Sequence, residues 1–223
     1  MNLTHHFLIA MPGLEDESFA RSVIYLCEHS ERGALGLIIN KPTDMTMETL
    51  FDRVDLKLAE GLRATVVDEP IMFGGPVQDD RGFVLHSPGG RYSSSLNVTD
   101  DVSFTTSIDV LEAVASGGGP ARMLVSIGYA GWSPGQLEEE LSRNGWLTVD
   151  ADPAIIFDTP ADEKYDAGRD AGIGPCSIDR PIARPGKFWR SMASSANTCG
   201  VGAYTCRCRS SFPALVACSE QAR

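Results

Sequence analysis

Between residues 5 and 157 short apolar runs of strand length recur between polar turns, and few segments show the i, i+3, i+4 spacing of a helix. His5 to Met11, His-His-Phe-Leu-Ile-Ala-Met, predicts a first strand stopped by Pro12 and Gly13. Ser22 to His29 is rich in β-branched and aromatic residues and predicts a second strand. Turn chemistry at Ser30 to Gly33 joins it to a third, Ala34 to Asn40, as a hairpin that Lys41-Pro42 ends. Met47, Leu50, Phe51 and Val54 recur at helical spacing behind Thr46, a side chain able to cap the first N–H groups. Pro70 to Val77 reads as a brief strand broken by Gly74-Gly75-Pro76, followed by a strand at Gly82 to His86 and a β pair at Leu96 to Val98 and Val102 to Thr105. Ser107 caps a helix carrying Val110, Leu111 and Val114, which Gly117 to Pro120 terminates.

The densest pattern is Met123 to Leu141, which predicts strand, turn and helix. Met123 to Ile127 has the composition of a strand buried on both faces, and Gly128 and Gly131 offer backbone freedom for a reversal around Tyr129 and Ala130. Ser133 as N-cap, Pro134 at the first helical position and Gln136 at the third have the spacing of a capping box. Leu137 and Leu141 then share a face, and Glu138 to Glu140 place negative charge where the helix dipole favours it. Beyond it, Trp146 to Val149 and Ala154 to Phe157 read as short strands, and Thr159-Pro160 opens a last helix running to about Ala171. Strands outnumber helices and come as hairpins, so the class is α+β with a mixed, strongly curved sheet.

Charge changes the picture. Residues 1–173 hold 12 Lys and Arg against 28 Asp and Glu, a net of −16, while residues 174–223 hold 7 against 2, a net of +5, making the chain's −11. An acidic body repels a polyanion, so direct nucleic-acid binding by 1–173 is not expected. No apolar run approaches the roughly 18 residues of a membrane span, and the N-terminus has neither a basic nor an apolar leader region, so the expectation is a cytoplasmic protein without membrane association. Cysteine divides the same way: Cys27 alone precedes residue 174, and Cys176, Cys199, Cys206, Cys208 and Cys218 follow it. Their C-x6-C-x-C core lacks the spacing of a structural zinc site. The segment 174–223 also lacks apolar periodicity, so it is expected to be disordered.

Candidate chemistry is sparse. His6, Glu28, His29 and His86 stand at predicted strand ends and compose the one candidate acid/base or metal constellation, although consecutive strand residues such as Glu28 and His29 face opposite ways. The glycine turn before a helix lacks the Lys-Ser/Thr of a phosphate loop and the G-x-G-x-x-G of a dinucleotide fold. There is no G-x-S-x-G elbow, and Cys27 sits mid-strand as an inert thiol. Gly74 and Gly75 read as a tight bend, Asn40 as a strand end whose amide can hold a neighbouring loop, and Tyr129 and Trp132 as core aromatics or the wall of a pocket. No catalytic residue, metal or cofactor is expected; an unidentified protein partner is open, as is the oligomeric state.

Residues 3 to 173 resemble the YqgE/AlgH family of bacterial proteins. The resemblance rests on His-Phe-Leu-Ile-Ala-Met-Pro at 6 to 12, Ser22 with Cys-Glu-His at 27 to 29, Gly-Leu-Ile-Ile-Asn-Lys-Pro at 36 to 42, Gly-Gly-Pro-Val at 74 to 77, Arg-Gly-Phe-Val-Leu-His at 81 to 86, Gly-Tyr-Ala-Gly-Trp at 128 to 132 and Gln-Leu-Glu-x-Glu at 136 to 140. It implies a single domain with a bifurcated or barrel-like sheet surrounded by helices. The label of transcriptional regulator attaches to alginate-linked members, which implies a regulatory or interaction module with an indirect role in transcription. The alternative is an enzyme with a small-molecule site near His6, Glu28, His29 and His86. Gly174-Pro175-Cys176 stands where the family has an Asp-Pro-Ala-like sequence, and a one-base shift converts one into the other, so 174–223 reads as an out-of-frame extension of the 1–173 domain.

Overall fold

Runs that are apolar at every position, Phe7-Leu8-Ile9-Ala10 and Val23-Ile24-Tyr25-Leu26-Cys27, have no polar face to turn to water, and both lie in strands buried on both sides. The computed structural model describes residues 2–14, 16–59, 68–88 and 92–173. Among these, the strands are β1 (His6–Ala10), β2 (Val23–Ser30), β3 (Gly33–Ile38), β4 (Pro42–Thr46), β5 (Pro70–Phe73), β6 (Val77–Ser87), β7 (Ser95–Asn97), β8 (Ser103–Thr105), β9 (Arg122–Trp132) and β10 (Trp146–Asp150). The helices are α1 (Met47–Arg53), α2 (Asp109–Ala115), α3 (Gln136–Ser142), α4 (Pro153–Phe157) and α5 (Lys164–Ile173).

The sheet runs β10-β1-β2-β3-β9-β6-β8-β7, with β4 and β5 as a branch. It forks at β9. One edge of β9 is covered along most of its length by antiparallel β6. The other edge is shared: Ser126 and Ile127 pair with Met72 and Phe73 of β5 in parallel, while Ala130 to Trp132 pair with Gly36 to Ala34 of β3 antiparallel. Gly74 sits in the crotch, donating its N–H to the Ile127 carbonyl at 2.8 Å and accepting from the Ile38 N–H at 2.9 Å. The result is a mixed α+β domain with a strongly curled half-barrel sheet.

Alternate residues of the central strands supply separate cores. Phe7, Ile9, Val23, Tyr25, Cys27 and Leu37 meet Phe83, Leu85 and Phe104 together with Ile155 and Ile156 of α4 and Tyr165 of α5. Leu8, Ile24, Leu26 and Ile38 face the other way, towards Trp132, Trp146 and Leu137 of α3. On the second branch α1 and α2 bury Met47, Phe51, Val110, Leu111 and Val114 against Ile71, Val84 and Val125.

Several local expectations are corrected. The strand begun at Met123 does not end at Gly128; it continues to Trp132, because β6 and β3 supply partners up to Tyr129 and Trp132 respectively. Gly128 does take a left-handed φ of 73°, but as an irregularity within the strand, and Gly131 takes no such conformation. The helix start falls at Gln136 behind Gly135 at φ 79°, and only half of the capping box forms, the Ser133 N–H donating to Gln136 Oε1 at 3.0 Å. Ala154 to Phe157 are helical, since Asp152 caps the Ala154 N–H at 2.9 Å and Pro153 stands at the first helical position. The hairpin strand β3 does end, at Ile38, before Lys41-Pro42, but Pro42 then opens a further strand, β4. The expected disorder of residues 174–223 concerns a segment outside the described residues.

Candidate functional site

The strand-end histidines are held by separate sets of neighbours. His29, on β2 after a bulge at Cys27, is buried and accepts the Leu3 N–H at Nδ1, 3.0 Å away. The proton is thereby assigned to Nε2, which donates to Glu138 Oε1 at 2.9 Å. Glu28, adjacent in sequence, is exposed on the opposite face. His6, paired in register with Asp150 of β10, places Nε2 3.0 Å from that carboxylate. His86 is enclosed on β6, where Nε2 bonds Thr105 Oγ1 at 2.8 Å and the ring meets Tyr92 edge-on; burial lowers its pKa. Among the described residues no group of three or more His, Cys, Asp or Glu side chains is arranged to hold a metal ion.

The remaining candidates serve the fork and the cores. A Cβ on Gly75 would lie 2.3 Å from the Tyr129 carbonyl carbon, and one on Gly74 or Gly128 would lie 2.2 Å from the carbonyl oxygen of Gly128 or Gly75 respectively. These glycines let two main chains touch, which is a packing requirement. Tyr129 packs edge-on against Phe83 at 5.4 Å. Trp132 stacks near Phe19 and donates its indole N–H to Glu140 Oε2 at 2.9 Å, and Trp146 donates to the same oxygen at 2.7 Å. Asn40 holds the β2 approach with both ends of its amide, accepting the Val23 N–H at 2.8 Å and donating to the Arg21 carbonyl at 2.9 Å. Cys27 is buried, and desolvation raises its thiol pKa.

A cavity of about 340 Å³ lies between β5, β9, α4 and α5, and a second of about 280 Å³ lies between α1 and α2 over Val84 and Val125. Neither is lined by a histidine. The first is lined by Lys164, which is 3% exposed and donates to the carbonyls of Ile39 at 3.0 Å and Ile156 at 2.8 Å. Sequence reasoning missed Lys164, Glu138 and Glu140. Lys164 stands between Asp162-Glu163 and Asp166, a context that reads as a solvated helix face. A signal exists only in the neighbouring Tyr165 and Gly168, which are buried with it.

A forked, curled sheet joined by glycine-mediated contacts and covered by helices defines the class as a small mixed α+β half-barrel domain. The model of the AlgH-like family matches residues 7–172, and the chain belongs to that family. A UPF0301 protein of Ralstonia nicotianae is 58% identical over 179 residues, covering 80% of this chain and 93% of that protein. Another, of Cupriavidus metallidurans, is 62% identical over 167 residues, covering 75% and 86%. The solution structure of the AlgH protein from Pseudomonas aeruginosa matches with a TM-score of 0.67 at 48% identity, over 78% of this chain and 90% of that one. A crystal structure from Corynebacterium diphtheriae, 22% identical with a TM-score of 0.53 over 68% of this chain and 78% of that one, shares the fold.

Proposed function

We propose that the protein is a non-enzymatic regulatory and interaction module of the bacterial cytoplasm, acting on transcription indirectly through a protein partner. The observation that carries this reading is the dispersal of the histidines: His6 is engaged with Asp150, His29 with Leu3 and Glu138, and His86 through Nε2 with Thr105 while its buried Nδ1 has no hydrogen-bond partner among the described residues, so each ring belongs to a separate set of contacts. The acidic excess of residues 1–173, 28 Asp and Glu against 12 Lys and Arg, supports contact with a basic protein surface over a phosphate backbone. No helix among the described residues is long and apolar enough to cross a membrane.

The test is capture of cross-linked partners by the tagged full-length chain in cells, paired with a gel shift of the purified chain. A transcription-associated protein is expected in the first and no shift in the second. Tight sequence-specific DNA binding by the pure chain at physiological salt would overturn the indirect role.

A further inference from the structure

The amine of Lys164 presents an uncommon arrangement. Its residue is 3% exposed, no carboxylate among the described residues pairs with it, and its two hydrogen bonds go to main-chain carbonyls that local structure leaves open. Ile156 lies in the last turn of α4, where helical carbonyls lack intrahelical partners, and Ile39 follows the end of β3. A neutral amine has two N–H donors and one lone pair; an ammonium has three donors and no lone pair. Two acceptors therefore satisfy the neutral form and leave its lone pair unused.

The cavity that Lys164 lines is about 340 Å³; Met47, Met72, Met123 and Phe157 form its apolar wall, and Glu69, Asp158 and Thr159 line it as well. Thioether and aromatic walls suit an apolar body about the size of a substituted benzene or a short aliphatic chain. We propose that this cavity is a binding site for a small apolar aldehyde, which Lys164 holds covalently and reversibly as an imine. The lone pair of Nζ attacks the carbonyl carbon as the carbonyl π pair moves to oxygen, and one N–H proton passes to that oxygen to give the carbinolamine; its hydroxyl then leaves as water with the second N–H proton as the C=N bond forms, which frees the Ile39 and Ile156 carbonyls. One water leaves, no electrons are exchanged with an outside agent, and hydrolysis reverses the step.

Burial supports the chemistry by lowering the Lys164 pKa to about 8. At pH 8 such an amine is half neutral, against under about 1% for an ordinary lysine, roughly a 100-fold difference in free nucleophile. Lys41 is an internal comparison: it too donates to main-chain carbonyls, of Ser18 at 2.8 Å and Glu17 at 3.4 Å, but it does not line this cavity.

The site stands independently of the regulatory reading, and its test needs no partner. Full-length protein is incubated at pH 8 with increasing benzaldehyde and sodium cyanoborohydride, which traps an imine as a stable amine. Adducts at the chain's lysines, Lys41, Lys57, Lys164 and Lys187, are then quantified by peptide mass spectrometry. Lys164 is expected to label on the order of 100-fold faster than Lys57, with a rate that saturates in aldehyde, and to lose this advantage in urea. Lys164→Arg should lose the saturable adduct, and its melting curve reports whether it folds. Labelling of native wild-type protein at Lys164 no faster than at Lys57 would overturn the proposal. A Lys164 rate that stays linear in aldehyde would overturn it equally, since an amine that is merely deprotonated reacts without a binding site.

Discussion

His29 on β2 and Glu138 on α3, 109 residues apart in sequence, are joined by a 2.9 Å hydrogen bond from Nε2 to Oε1. The other ring nitrogen accepts the Leu3 N–H, so one imidazole ties the N-terminal segment, the central sheet and a helix together. The Glu138 carboxyl is held below its usual range, first by its own N–H at the helix start and next by His29. His29→Ala leaves the buried Leu3 N–H without its acceptor, a loss of about 1–3 kcal/mol. Urea denaturation should show it, and Glu138→Ala, at an exposed carboxylate, should cost less. Equal stability of His29→Ala and wild type would show that the contact does not hold the segment.

Glu140 Oε2 accepts indole N–H groups from both Trp132 and Trp146, whose side chains are largely buried, and its Oε1 accepts from Gln136 at 3.0 Å. Glu140→Leu should destabilise by about 1–3 kcal/mol, because two indole donors lose one acceptor. Glu140→Gln keeps an acceptor and should recover most of that loss. Chemical denaturation followed by tryptophan fluorescence measures both variants.

Gly128 and Gly131, three residues apart on β9, should respond differently to alanine. At Gly128, φ is +73° and a Cβ would meet the Gly75 carbonyl oxygen at 2.2 Å, which is main chain and cannot swing aside. At Gly131 the nearest atom is Tyr129 Cε2 at 3.0 Å, on a side chain that can shift. Gly128→Ala should cost at least about 1–3 kcal/mol from strain alone, and Gly131→Ala less. Thermal melts of the pair settle the order, and a reversal would contradict the fork geometry.

Lys164 makes stability depend on alkaline pH in a defined direction. Burial takes its pKa from 10.5 to about 8, so between those values the unfolded chain holds a proton that the folded chain has released. Stability therefore rises with pH across the window, by about 3 kcal/mol in total, and the full cost of burying the ammonium is present below pH 8. Lys164→Met removes this dependence. The stability of wild type relative to the variant should accordingly improve from pH 8 to 10.5, whatever constant offset the lost carbonyl contacts impose. A difference flat in pH, measured by urea denaturation, would show that the folded amine titrates normally.

Local order in this protein was legible wherever the pattern of a segment and its tertiary setting agree. Phe7 to Ala10, Val23 to Cys27 and Leu37 to Ile39 are apolar at every position because both faces of their strands are covered, and Met47, Leu50 and Phe51 repeat at helical spacing because α1 buries one stripe. Those segments, the α+β class and the family resemblance follow from sequence by itself. Ala154 to Phe157, expected as a strand, is helical because Asp152 caps it and Pro153 opens it, and the helix buries both Ile155 and Ile156. Other features depended on contacts that no local window contains. The strand through Gly128 to Trp132 persists because β6 and β3 offer backbone partners to it, and Gly74 matters because its peptide bridges Ile38 and Ile127. The separate fates of His6, His29 and His86, and the burial of Lys164 within a charged stretch, were decided by the fork and by the packing of α3, α4 and α5. The physical reason is that hydrophobic periodicity records which face of an element is covered, whereas hydrogen-bond partners and desolvation depend on what the distant chain places there.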